Sequence, residues 1–273
     1  MPNDGQFEST IVSCKWLNDN RHLDQLIILD ASVKTDSSSF KDYIPNSRFF
    51  DLKEKFSERT AEFPNTIPSL QQFQDEARLL GINNDSILVI YDDKGVYWSP
   101  RVWWLFKTFG FKNIAVLDGG LPEWKKLGFI TSTSLCPFNF KTGNFTAVYD
   151  ASKMCFFDDI LKSSKNETIK IIDARSEDRF TSRVPEPRKG LRSGTIPNSA
   201  NLPYTKLLTG NCLKPKQELQ TVFDTFIIGE KSLTFSCGSG ITACILALAA
   251  EILDYKQITV YDGSWTEYGS LTT

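Results

Sequence analysis

One cysteine lies in a setting that suits nucleophilic chemistry. It lies in the stretch Leu233-Thr-Phe-Ser-Cys237-Gly-Ser-Gly-Ile-Thr-Ala-Cys244. This stretch predicts a buried strand, then a short loop with two glycines, then the start of a helix. A loop of this kind directs successive backbone N–H groups into a concave cradle at the positive end of the helix dipole. Because such a cradle stabilises a thiolate, we predict that Cys237 is a nucleophile.

The loop residues that follow the cysteine support this prediction. Gly238 and Gly240 remove Cβ atoms where the chain must turn tightly, and Ser239 places a hydroxyl at the rim. The backbone of Ile241 and Thr242 belongs to the same loop. We therefore expect Ser239 to assist the chemistry, and the two glycines, Ile241 and Thr242 to bind substrate.

Three other interpretations of this stretch remain open. A lone cysteine at the end of a strand is often a buried structural residue. A nucleotide-binding P-loop also follows a strand, but no Lys-Ser/Thr pair follows these glycines. A cysteine phosphatase uses the same cradle, yet it needs an arginine six positions after the cysteine, where this chain has Ala243.

The composition excludes several functional classes. The chain has 273 residues, a net charge of −2 and ordinary fractions of hydrophobic (41%) and charged (23%) residues, which argues against binding to nucleic acid or to an anionic membrane. Six cysteines without a Cys-x-x-Cys pair and a single histidine argue against a disulfide framework and against a metal site. The first residues do not resemble a signal or transit peptide, so we expect a cytoplasmic protein, with mitochondria as the alternative.

The sequence contains an internal repeat. Four blocks recur in the same order, and they can be marked by the pairs Asp30/Asp173, Tyr43/Thr195, Asp92/Cys237 and Val116/Val260, with offsets of 143, 152, 145 and 144. Two related domains in tandem are the simplest account. We predict an amino-terminal domain over 1–135, a linker over 136–150 and a carboxyl-terminal catalytic domain over 151–273.

Each half shows the pattern of an α/β domain. Short apolar runs predict strands that are buried on both faces of a parallel sheet, at 27–29, 87–90, 114–117, 169–172, 233–235 and 258–260. Helices are predicted between them at 69–80, 100–109 and 243–253. Such sheets place ligand sites at the carboxyl ends of their strands, which is where Cys237 falls.

The chain resembles the tandem rhodanese family over nearly its whole length. The loop Cys237–Ala243 is similar to that of the family's 3-mercaptopyruvate branch, whereas the thiosulfate branch has Arg and Lys at positions 238 and 239. Further similar motifs are Gly95–Trp104, Leu117-Asp-Gly-Gly120, Arg179-Phe180, Pro185-Glu-Pro-Arg188 and Tyr261-Asp-Gly-Ser-Trp265. The resemblance implies two rhodanese-like domains, each a parallel sheet flanked by helices.

The resemblance also implies a substrate grip and a relay. Arg179 and Arg188 match two substrate-binding arginines, which can hold a 2-oxo carboxylate bidentately, although further cations at 183, 189 and 192 leave the pairing open. Asp51 and Ser239 match the aspartate and serine of a proposed Asp–His–Ser relay. The histidine is missing, because Asn65 lies near its place and His22 comes too early in the chain.

The implied reaction is sulfur transfer from 3-mercaptopyruvate through a persulfide on Cys237, with release of pyruvate. A thiol such as thioredoxin, or cyanide, would accept the sulfur, hydrogen sulfide could follow, and no cofactor is implied. The amino-terminal domain has Asp92 at the place of the nucleophile and would be catalytically silent while supplying one wall of the cleft. Two alternatives are a thiosulfate sulfurtransferase and a non-catalytic interaction module with the same fold.

Overall fold

The computed structural model describes residues 7, 9–33, 42–137, 139–226 and 232–273. The chain divides into two compact units. Unit 1 contains Met1–Arg59, Ile67–Tyr149 and Thr209–Leu213, and unit 2 contains Thr60–Thr66, Asp150–Leu208 and Lys214–Thr273. Each unit therefore includes one short segment from the other half of the sequence.

Unit 1 is built on a five-stranded parallel sheet. Its strands are β1 (Ile11–Val12), β2 (Leu26–Asp30), β3 (Arg48–Phe49), β4 (Ile87–Tyr91) and β5 (Ile114–Leu117), in the spatial order β1-β5-β4-β2-β3. Its helices are α1 (Cys14–Asn20), α2 (Leu70–Leu79), α3 (Ser99–Thr108) and α4 (Gly120–Lys126). Every residue of β4 is buried, as expected for a central strand covered on both faces.

Unit 2 repeats this architecture. Its strands are β6 (Met154–Cys155), β7 (Ile169–Asp173), β8 (Ser199–Asn201), β11 (Ser232–Ser236) and β12 (Ile258–Tyr261), parallel and in the order β6-β12-β11-β7-β8. Its helices are α5 (Phe157–Ser163), α6 (Glu177–Phe180), α7 (Lys216–Asp224), α8 (Ala243–Ile252) and α9 (Ser264–Leu271). The short strands β9 (Leu208–Thr209) and β10 (Cys212–Leu213) form a separate two-stranded sheet, and all of their residues except Leu208 belong to unit 1.

The predicted α/β class and the parallel sheets are confirmed. All six predicted strands are present, and each extends at most one residue beyond its predicted limits. The three predicted helices are also present, with ends displaced by at most one residue. Ser69 caps α2 instead of belonging to it, because its side chain accepts the Gln72 N–H.

The segment predicted as a linker, 136–150, has no helix or strand among the residues that the structure describes, which are all of the segment except 138. All of it except Asp150 belongs to unit 1, and part of it is hydrogen-bonded to the rest of that unit. The N–H groups of Gly143, Phe145 and Val148 donate to backbone carbonyls at 78, 82 and 109. The backbone of residues 143–148 is thus anchored along unit 1.

Candidate active site

The loop that carries Cys237 joins β11 to α8, as the sequence predicts. Cys237 follows the last residue of the strand, and the residue is only 2% exposed. Gly240 has a φ of 75°, a left-handed conformation that favours glycine. The carbonyls of Cys237 and Gly238 accept the N–H groups of Trp265 and Thr266, each at 3.0 Å. The first turn of α9 therefore holds the loop in place.

Ser264, at the start of α9, is a site residue that sequence reasoning missed. Its Oγ accepts the N–H groups of Cys237 and Gly240, both at 3.1 Å, and lies 3.9 Å from the Cys237 Sγ. Its φ is 52°, which is unusual for a serine, and it is fully buried. The repeat carries a signal for this residue, since the equivalent position in unit 1 is Gly120, also with a φ of 52°.

The equivalent loop of unit 1 shows what such a cradle binds. Asp92 replaces the cysteine, and its buried carboxylate occupies the loop. Oδ2 accepts the N–H groups of Tyr97, Trp98 and Ser99 at 2.9–3.0 Å and the Ser99 hydroxyl at 2.7 Å. Oδ1 accepts the Lys94 N–H at 2.9 Å. Five donors converge on one anion, so this backbone conformation is suited to negative charge.

Arg179 and Arg188, the two predicted substrate-binding arginines, both lie at the Cys237 loop. A Cβ built on Gly238 would come within 3.0 Å of Arg179 Nη2, so the guanidinium packs directly against this glycine. Arg188 Nη1 donates to the Thr266 hydroxyl at 3.0 Å, and this hydroxyl in turn donates to the Gly238 carbonyl. The loop is thus flanked by two cations.

Three other cations of the same stretch have different surroundings. Arg183 is exposed and pairs with Glu177 and Asp178 on α6. Arg192 bonds Thr272 and lies over the Trp265 ring at 4.7 Å. Lys189 is exposed. The geometry therefore favours Arg179 and Arg188 as the pair that faces a ligand at the loop.

A buried ionic network lies behind Arg179. Glu186 Oε2 pairs with Arg179 Nη2 at 2.5 Å, and its Oε1 pairs with Arg175 Nη1 at 2.8 Å. Arg175 also pairs with Asp173 at 2.7 Å, and the side chains of Asp173, Arg175 and Glu186 are completely buried. Sequence reasoning missed Arg175 and Glu186, although Asp173 and Arg175 fall inside a repeated block.

The three residues considered for the relay are placed as follows. Asn65 is buried in unit 2, and its Nδ2 donates to both the carbonyl and the hydroxyl of Ser239 at 3.0 Å. Asn65 has a φ of 63°, a conformation that asparagine tolerates better than most residues. Asp51 is half-buried in unit 1, where its Oδ1 accepts the Glu54 N–H. A catalytic role for Asp51 stays a prediction.

The remaining loop residues include one more thiol. Ile241 is buried and Thr242 is half-buried before the start of α8. Cys244 is fully buried, and its Sγ lies 3.3 Å from the Gly240 carbonyl.

Three cysteines elsewhere are held in the thiol form. Burial raises the pKa of Cys14 to about 12 and that of Cys212 to about 11, with nearby acidic groups adding to both shifts. Burial also raises the pKa of Cys155 far above its usual range. Since the thiolate is the reactive form, these cysteines are poor nucleophiles at neutral pH.

Neither a metal site nor a membrane span is found in the part of the chain that the structure describes. Within these residues, no three His, Cys, Asp or Glu side chains are grouped so that they could hold a metal ion. Likewise, no described helix has the length and apolar character needed to cross a bilayer.

Comparison with known proteins identifies the family. The model of the rhodanese-like domain matches residues 13–127 and again residues 157–271. The chain belongs to the rhodanese family. This rhodanese has its two matches in tandem, and each match includes one of the two five-stranded sheets except for its first strand, β1 or β6.

Several known proteins are similar to this rhodanese over nearly its whole length. The 3-mercaptopyruvate sulfurtransferase of Escherichia coli K12 is 34% identical over 268 residues, which cover 95% of this chain and 94% of that protein. The thiosulfate/3-mercaptopyruvate sulfurtransferase 1, mitochondrial, of Arabidopsis thaliana is 34% identical over 95% of this chain and 76% of its own length. The crystal structure of SseA from Escherichia coli, a 3-mercaptopyruvate sulfotransferase, superposes with a TM-score of 0.82 at 30% identity, covering 94% of this chain and 99% of SseA.

Proposed function

We propose that this chain is a sulfurtransferase that takes sulfur from 3-mercaptopyruvate onto Cys237 and passes it to a thiol. One observation carries the proposal: a cysteine sits in a backbone cradle with two arginines against the same loop. The similar proteins named for this activity support it. The carboxyl-terminal half is the catalytic half of the proposal, and the amino-terminal half, with Asp92 in its cradle, is silent.

In the first step, the Cys237 thiolate attacks the sulfur atom of 3-mercaptopyruvate. A sulfur–sulfur bond forms and the carbon–sulfur bond breaks. The electron pair of that bond passes to carbon, giving the enolate of pyruvate, which takes up a proton as it leaves. Arg179 and Arg188 hold the carboxylate and keto oxygens, whose planar arrangement suits guanidinium groups. The Ser239 hydroxyl accepts a bond from Asn65 Nδ2, and in this proposal it donates to the enolate oxygen.

The persulfide that results is an anion, and unit 1 supports the idea that the cradle can hold it. The Asp92 carboxylate accepts N–H groups at positions 94, 97, 98 and 99. With the repeat offset of 145 marked by Asp92 and Cys237, the first three correspond to Ser239, Thr242 and Ala243. These N–H groups, together with those of Gly238 and Ile241, form the part of the loop that would stabilise developing charge, whereas the Gly240 N–H donates to the Ser264 hydroxyl.

In the second step, an acceptor thiolate attacks the outer sulfur and regenerates the Cys237 thiolate. Thioredoxin is the acceptor that we propose, and attack by a second thiol on the acceptor persulfide then releases hydrogen sulfide. Cyanide would accept the same sulfur as thiocyanate. Neither step needs a metal ion or an organic cofactor, because the donor supplies sulfur that is already activated.

Thiosulfate is a second candidate donor, because the Arabidopsis relative is named for both donors. The loop favours mercaptopyruvate. Gly238 and Ser239 add no charge to it, and Arg179 is already paired with Glu186. A dianion would find little positive charge there beyond that of Arg188, which bonds the Thr266 hydroxyl. Turnover measured with each donor at equal concentration separates the two functions.

The decisive experiment is mass spectrometry of the intact protein after treatment with 3-mercaptopyruvate, alongside an assay of pyruvate. The wild type should gain the mass of one sulfur atom on Cys237, and Cys237→Ser should gain none and release no pyruvate. Cys244→Ser is the matched control, since unit 1 has Ser99 at the equivalent position, and it should behave as wild type. Pyruvate release by Cys237→Ser would contradict the mechanism, and a wild type that gains no sulfur would favour an interaction module.

A further inference from the structure

The two arginines at the loop differ in what neutralises them. Arg179 is bound by Glu186 through two contacts, Nη2–Oε2 at 2.5 Å and Nε–Oε1 at 3.3 Å. Arg188 donates to the Thr266 hydroxyl, and it forms no ion pair with any residue that the structure describes. One cation thus has a buried counter-ion, and the other has an uncharged partner.

Charge accounting in the network makes the difference clear. Asp173 and Glu186 each contribute one negative charge, and Arg175 and Arg179 each contribute one positive charge, so the four side chains are neutral together. Without Arg179, the three fully buried groups would carry one net negative charge immediately behind the loop. Arg179 is itself 25% exposed, so its charge closes the network at the edge that faces solvent.

Glu186 also fixes where Arg179 lies. A carboxylate that meets Nε and Nη2 holds the guanidinium plane in one orientation. In that orientation Nη2 lies against Gly238, close enough that a Cβ there would be only 3.0 Å away. Moving the guanidinium would therefore require breaking a buried ion pair, which is strongly unfavourable.

We propose that Glu186 is the positioning residue for Arg179, which it holds against Gly238 and neutralises, so that Arg188 supplies the net positive charge for an anionic ligand at Cys237. Arg179 then contributes directed N–H donors, and Arg188 contributes attraction. The identity of the ligand as the donor carboxylate rests on the proposed function. The division between the two arginines concerns the field at Cys237, which can be measured without sulfur transfer.

The test compares alkylation of Cys237 by iodoacetate, which is an anion, and by iodoacetamide, which has nearly the same size and no charge. The ratio of the two rate constants reports the local charge and cancels changes in the reactivity of the sulfur. The variants are Arg188→Gln, Arg179→Gln, Glu186→Gln and the double variant Arg179→Gln/Glu186→Gln. Thermal unfolding of each variant checks that it is folded, and Arg175 keeps Asp173 as its partner in all of them.

The expected ratios follow from the charge accounting. Arg188→Gln and Arg179→Gln should each lower the ratio about five-fold, as expected for one charge removed several ångströms away. Glu186→Gln should raise it by a similar factor, since Arg179 is then uncompensated. The double variant restores neutrality to the network and should return to within about two-fold of wild type.

Two alkylation ratios would overturn the proposal. One is a double variant whose ratio stays as low as that of Arg179→Gln, because Glu186 would then not be the group that neutralises Arg179. The other is an unchanged ratio in Arg188→Gln. Arg179→Lys keeps the positive charge but loses the fixed guanidinium. It should leave the alkylation ratio near that of wild type while raising KM for the donor. A changed ratio with an unchanged KM would also count against the proposal. If the ratios behave as expected but no pyruvate is formed by wild type, the proposed function fails and the assignment of charges stands.

Discussion

Replacing Asp92 with asparagine should destabilise unit 1 by about 2–4 kcal/mol, as the five bonds to its carboxylate indicate. An asparagine can keep its oxygen at the four-donor position of Oδ2. Its amide nitrogen then faces the Lys94 N–H, so that two donors oppose each other. Four charge-assisted bonds become neutral ones, and the negative charge at the start of α3 is lost, which alone costs about 0.3–2 kcal/mol.

Urea unfolding followed by tryptophan fluorescence measures this loss in the right unit. Of the six tryptophans, those at 16, 98, 103, 104 and 124 lie in unit 1. Asp85→Asn is the matched control, because Asp85 is exposed and its substitution should change stability by less than about 0.5 kcal/mol. An Asp92→Asn protein within that same margin of wild type would refute the idea that the carboxylate fills the cradle.

A second variant at the same position tests whether the cradle accepts a free anion. Asp92→Ala leaves the N–H groups of Tyr97, Trp98 and Ser99 buried around an empty space, and it should be less stable than Asp92→Asn. Added sulfate should then stabilise Asp92→Ala more than it stabilises wild type, since an anion that binds only the folded form raises its stability. Equal effects of sulfate on both proteins would show that the cradle has no affinity of its own for anions.

Three further predictions concern other parts of the molecule. Gly238→Ala should lower kcat/KM for 3-mercaptopyruvate about 10-fold, mainly through KM, because Arg179 must move. In an Arg179→Lys background the same substitution should cause almost no further loss. Equal losses in the wild-type and Arg179→Lys backgrounds would contradict the contact between Arg179 and Gly238. Asn65→Gly keeps the left-handed backbone but removes both bonds to Ser239, so kcat should fall about 10-fold. A fall in kcat of less than about two-fold would exclude a catalytic role for the Asn65 amide. Burial raises the pKa of Cys14 from 9.0 to about 12, so the folded state favours the thiol and the wild type loses stability as the pH rises above 9. The free energy of unfolding of Cys14→Ala should therefore fall less steeply than that of wild type between about pH 9 and 10.5, by up to about 1.4 kcal/mol per pH unit. Parallel curves for the two proteins would contradict the shift.

The central strands could be predicted from the sequence because their surroundings leave a local signal. A strand covered on both faces, such as β4, must be apolar along its whole length. The edge strands β1, β3 and β6 have only two residues each, too few for any periodic pattern. Their existence depends on the neighbouring strand that each one pairs with, and that neighbour is distant in sequence.

The site was predictable to the extent that it is local. Strand, glycine loop and helix are consecutive around Cys237, so the cradle could be inferred directly. Glu186 stands between two prolines and has the appearance of a surface charge, and only the folded chain brings it between Arg175 and Arg179. Ser264 follows Cys237 by 27 positions, and the bonds from its hydroxyl to the loop are a product of tertiary packing.

The two short segments that belong to the opposite unit limit how this protein can be divided. A chain cut near residue 150 leaves residues 60–66 with one fragment and their packing partners with the other, and the same holds for residues 209–213. The fragment that keeps Cys237 would lack Asn65 and with it the amide that bonds Ser239. Expressing the two halves of the repeat separately should therefore give two incomplete products, each lacking a segment that the other fragment carries.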